Sequence, residues 1–73
     1  MLQYTLEYRI VTNSRNGTGP LYYFYCIHGK PVFKTKFHGA WNSENKDVAE
    51  QVLSHIKMLA PNEQPYILIG KRK

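Results

Sequence analysis

The 73-residue chain has little of several things that usually announce an activity. One cysteine, Cys26, leaves no partner for an intrachain disulfide. No apolar run approaches the roughly 18 residues of a membrane span, and no stretch follows the order of a secretory signal. The expectation is a protein of a reducing, cytoplasmic setting with no membrane partner. His28, His38 and His55 are joined by no H-x-x-x-H or Cys/His spacing, and Gly17 and Gly19 do not lead directly into a helix as a phosphate loop does. Neither a metal nor a cofactor is expected. Acid is also scarce, with five Asp and Glu against ten Lys and Arg for a net charge of +5. Three of those cations are Lys71, Arg72 and Lys73, read here as a basic C-terminal tail, so the body of the chain is only mildly basic.

Residues 1–73 form one small domain on this reading. A chain of this length buries only about 60 to 65 % of its unfolded surface, which calls for a compact, aromatic-rich core. Six Tyr, three Phe and one Trp supply the rings, and most of them fall in Leu21 to His38. That stretch reads as a β-hairpin, with aromatic and β-branched runs on either side of His28-Gly29-Lys30-Pro31. A Gly29-Lys30 loop sets Ile27 against Val32, Tyr25 against Lys34 and Tyr23 against Lys36. One face then carries Tyr22, Phe24, Cys26, Phe33, Thr35 and Phe37 as a core. The other carries Tyr23, Tyr25, Ile27, Val32, Lys34 and Lys36, with His38 at its open end. A slip of one residue would exchange the two faces.

Leu2 to Val11 alternates, placing Leu2, Tyr4, Leu6, Tyr8 and Ile10 on one side and Gln3, Thr5, Glu7, Arg9 and Val11 on the other, as a half-buried strand does. Asn13 to Pro20 is a turn-rich connection with Asn16-Gly17 at its tip, which makes the first two strands antiparallel neighbours. After Gly39-Ala40-Trp41-Asn42, Ser43 offers an N-cap for a helix over 44–59, whose Val48, Ala49, Val52, Leu53, Ile56 and Leu59 form one apolar stripe. Pro61 and Pro65 close it. Tyr66-Ile67-Leu68-Ile69, bounded by Gly70, is a short fourth strand. The fold class is therefore α+β in the order β-β-β-α-β, an antiparallel three-stranded meander plus a fourth strand, with one helix on one face of the sheet. The position of strand four is left open.

A single helix leaves the second sheet face uncovered, and that face is the candidate surface. Arg9, Tyr23, Tyr25, Lys34, Lys36 and His38, with Lys71, Arg72 and Lys73 of the tail, combine rings that stack on bases with cations that neutralise phosphate. The expected function is non-enzymatic binding, nucleic acid being favoured as ligand. The same pairs also suit any solvated sheet, where lysine stems cover tyrosine rings. A second reading is a protein-binding inhibitor or adaptor acting through the open face, a strand edge, Tyr66 or the Trp41 loop, or a homodimer through strand four. For Trp41 itself, a loop residue between strand and helix, a plug at the end of a small core is the favoured reading. The third reading, a metal-independent ribonuclease with His38 as base beside Lys36 and Tyr23, has the least support in the spacing.

Overall fold

The computed structural model describes residues 5–13 and 19–72. Its elements are β1 (Thr5–Asn13), β2 (Pro20–Ile27), β3 (Lys30–Lys34), α1 (Lys46–Leu59), a 3-10 turn (Pro61–Glu63) and β4 (Tyr66–Arg72). They build one antiparallel sheet in the order β3-β2-β1-β4 with the helix on one face, the α+β arrangement expected from the sequence. The fourth strand lies beside the first, in a register that pairs Val11 with Tyr66, Ile10 with Ile67 and Thr5 with Arg72. Lys71 and Arg72 are thus the end of a strand and not a tail; Lys73, Leu2, Gln3, Tyr4 and the Asn16-Gly17 tip lie outside the described residues.

β1 is central, and its Ile10, Val11 and Thr12 are completely buried. Alternation sends Tyr8, Ile10 and Thr12 toward the helix and Glu7, Arg9 and Val11 to the opposite face, as the sequence pattern implies. The core on the helix side gathers Ile10, Tyr23 and Ile56, with Phe33, Trp41, Val52 and Leu53 packed around them. Ala49, Val52, Leu53 and Ile56 are the helical stripe; Val48 and Leu59 fall on its exposed margin. Thr12 ties the far end down by donating its hydroxyl to the carbonyl of Glu63. Asn45, not Ser43, caps the helix, its Oδ1 accepting from the backbone N–H of Asp47 at 2.8 Å and of Val48 at 3.2 Å. Ser43 is already engaged, exchanging two backbone hydrogen bonds with Tyr8 at 2.8 and 3.0 Å.

The hairpin departs from expectation in two ways. Its turn is His28-Gly29, with φ of 51° and 73°, so that Ile27 pairs with Lys30. Two central residues with positive φ give a turn whose twist matches that of the strands, and histidine is among the residues that tolerate this region. Pro31 then sits within β3, acceptable because β3 is an edge strand. The second departure is a bulge between Tyr23 and Tyr25. It changes the pairing parity, so Tyr23 joins Phe33 in the core while Tyr22 pairs with Lys34 on the other face. The expected core set is corrected accordingly: Phe33, Val52 and Ile56 belong to it, whereas Phe24, Phe37 and Leu6 do not. Cys26, expected in the core, is exposed.

β1 and β2 pair only over Val11–Asn13 and Pro20–Tyr22. Beyond that point the sheet forks, and the chain between β3 and α1 fills the fork. Trp41 donates its backbone N–H to the Tyr23 carbonyl at 2.9 Å, and Ser43 bridges to Tyr8. Phe37 packs on Tyr22 while Trp41 packs on Tyr23. Those two tyrosines are consecutive in β2, so the connection starts on the open face and crosses to the helix face through the fork.

Candidate nucleic-acid interface

The face away from the helix is not bare. Residues 35–39 cross it as a strap, which removes Thr35, Lys36 and Phe37 from the strand expected of them. Phe37 meets the Tyr22 ring edge-on at 5.4 Å between centroids, and the Arg9 guanidinium carbon lies 4.3 Å from the Phe37 centroid. The strap is shaped by a turn in which the Ala40 N–H donates to the Phe37 carbonyl at 3.2 Å. Gly39 sits at the third position of that turn with φ of 85°, the requirement of a type II turn. An added Cβ there would also touch the Phe24 ring at 3.4 Å.

Beneath the strap, Arg9 Nη1 pairs with Glu7 Oε2 at 2.6 Å, with side chains only 12 % and 10 % exposed. Removing two charges from water is costly, and the pair persists through close geometry and the cation–ring contact with Phe37. Arg9 was expected to reach phosphate; the structure spends its charge internally. Its Nε is buried without a hydrogen-bond partner.

Tyr23 is likewise displaced from the expected surface. It is 7 % exposed, and its hydroxyl donates to Cys26 Sγ at 3.3 Å. Burial foremost, and the Cys26 contact after it, push its phenol up to about 12 from the ordinary tyrosine value near 10. It is therefore not part of a surface with Tyr25, nor of a group with His38 and Lys36, the set on which the ribonuclease reading stood. Among the described residues no cluster of His, Cys, Asp and Glu could hold a metal.

What the open face does assemble is a different set. Tyr25 is 47 % exposed, and Lys34 extends over two rings, its Nζ 4.9 Å from the Phe24 centroid and 5.5 Å from that of Tyr25. Phe24 is the extra residue of the bulge and Tyr25 follows it, which is how consecutive residues come under one lysine. Lys36 and His38 are exposed on the strap on either side of Phe37. Across the sheet Tyr66 donates its hydroxyl to Asn13 Oδ1 at 3.2 Å, while Trp41 packs against the core, as a plug does.

No protein-family model, curated protein or solved structure matches this chain. The site must be read from its own chemistry. Sequence reasoning missed Phe37 and Phe24, both assigned to the core. The available signal was Lys36-Phe37-His38 itself, a ring between two polar neighbours just past a strand and just before a glycine.

Proposed function

We propose that the protein binds single-stranded nucleic acid on the sheet face opposite the helix. The observation that carries this reading is the separation of charge. Of the five carboxylates, Glu44, Asp47, Glu50 and Glu63 lie in the approach to the helix, the helix or the 3-10 turn. The fifth, Glu7, is consumed by Arg9. Lys34, Lys36 and His38 therefore stand beside exposed rings on a face whose one strand-borne carboxylate among the described residues is already paired. Cations attract a phosphate backbone, and rings accept bases whatever their sequence. We place the protein, on the same footing, in a reducing cytoplasm, where the exposed Cys26 stays a thiol. No helix of the described residues is long and apolar enough to cross a membrane.

The test is fluorescence anisotropy of labelled single-stranded RNA, single-stranded DNA and duplex over a salt series. Log affinity should fall with log salt, and Lys34→Ala or Lys36→Ala should flatten the slope by about one phosphate contact. Lys57→Ala on the helix should leave the slope unchanged. Absence of single-strand binding at low salt would end the proposal.

A second reading has one observation of its own. β4 is an edge strand, and its Ile69 is 57 % exposed beside half-exposed Tyr66 and Leu68. Such an edge suits pairing with a protein partner or a second copy. Light scattering on the chromatographed protein, with Ile69→Lys as the control, distinguishes a dimer from a monomer.

A further inference from the structure

We infer that Phe37 is the base-stacking residue of this face: the outer side of its ring takes one unstacked nucleobase while Lys36 and His38 contact the adjoining phosphates. The inference rests on the nucleic-acid reading above and adds to it which ring does the stacking and why the strand must be single.

Phe37 is 46 % exposed, a large apolar surface left in water by a domain with little core to spare. It is nevertheless fixed. The Arg9 guanidinium fills the inner side of the ring at 4.3 Å, Tyr22 meets it edge-on at 5.4 Å, and the His38 ring stands at 6.0 Å. The Gly39 turn sets the backbone from which it projects. A ring held in this way loses little rotamer freedom when a ligand arrives, which is the condition for strong stacking from a small contact. The buried cation draws π-density toward the inner side. The outer side is left electron-poor and complementary to the electron-rich face of a nucleobase.

Position completes the argument. In the strap the residues before and after Phe37 are a lysine and a histidine, so a base on the ring has hydrogen-bond donors to both sides along the chain. Glu7, the one carboxylate that the described strands carry, is bonded to Arg9 below the ring and does not oppose phosphate above it. Tyr25 and Lys34 extend the track along the hairpin. A duplex presents only base edges and backbone, because its base faces are stacked on one another; a single strand presents the faces.

The experiment measures anisotropy of a labelled single-stranded oligonucleotide, and of an abasic strand of the same length, against wild type, Phe37→Ala, Phe37→Leu and Phe37→Trp. Phe37→Leu keeps an apolar cover over Arg9 and serves if the alanine variant melts early. Loss of the ring should weaken binding of the base-bearing strand about 5- to 150-fold, with an unchanged salt slope. Phe37→Trp should bind at least as well as wild type. The abasic strand should bind all four proteins alike, and no more tightly than the base-bearing strand binds Phe37→Leu. If wild type binds the oligonucleotide and a folded Phe37→Leu binds it equally, the stacking assignment is wrong while the nucleic-acid reading stands. If wild type binds neither strand at low salt, both fall.

Discussion

Removing one member of the Glu7–Arg9 pair should destabilise the fold far more than replacing both. With side chains 12 % and 10 % exposed and 2.6 Å between the paired atoms, neither charge can be rehydrated without opening the strap. Unit charges about 4 Å apart attract by about 4 kcal/mol at an effective dielectric constant near 20. Breaking a buried pair from one side costs about 3 to 5 kcal/mol, since the remaining charge is stranded. A domain this small holds on the order of 5 kcal/mol in total. Glu7→Ala, which leaves the guanidinium under Phe37, should therefore be substantially unfolded at 37 °C, and Arg9→Ala nearly so. The pair Glu7→Leu with Arg9→Met fills similar volume without charge and should lie within about 1 kcal/mol of wild type or above it. Urea denaturation of the three variants, followed by circular dichroism, gives the comparison. Two single variants each within 1 kcal/mol of wild type would show that water reaches the pair, and the strap would not be the cover described above.

Three further outcomes are expected. Ile56→Ala should cost about 2 to 5 kcal/mol, and Phe24→Ala clearly less, because Ile56 is fully buried whereas Phe24 lies outside the core cluster; equal melting temperatures would return Phe24 to the core and restore the unbulged register. Asn45→Ala should cost about 1 kcal/mol through loss of the helix cap, read as a lower denaturant midpoint at unchanged slope; no change there would leave the cap to Ser43. Alkaline titration followed by ultraviolet absorbance should show Tyr23 ionising only near pH 12, as a step that Tyr23→Phe removes. Its folded pKa is raised, so the stability it contributes is complete below about pH 10 and is lost as pH climbs through 12; Tyr23→Phe should remove that loss, and a high-pH absorbance step unchanged by that substitution would refute the burial.

The period of the side chains in β1, the apolar stripe of α1 and the proline stops after it are local properties, and they were legible in the chain. Together they determined the α+β class, the element order and the face on which Ile10 and Ile56 meet. A two-residue period cannot register one extra residue, however. The bulge at Phe24 exchanges Tyr23 with its neighbours, and only packing decides it, because Tyr23 fits with Phe33 and Trp41 against the helix. The same holds for Phe37 and Arg9. In sequence one is a core hydrophobe and the other a surface cation, and nothing local says that a forked sheet will lay the ring over the guanidinium. The fork exists because Ser43 and Trp41 satisfy the backbone groups that β1 and β2 leave to each other only near Val11. Those pairings join Tyr8 to Ser43 and Tyr23 to Trp41, residues far apart in the chain, and the tertiary structure alone selects them.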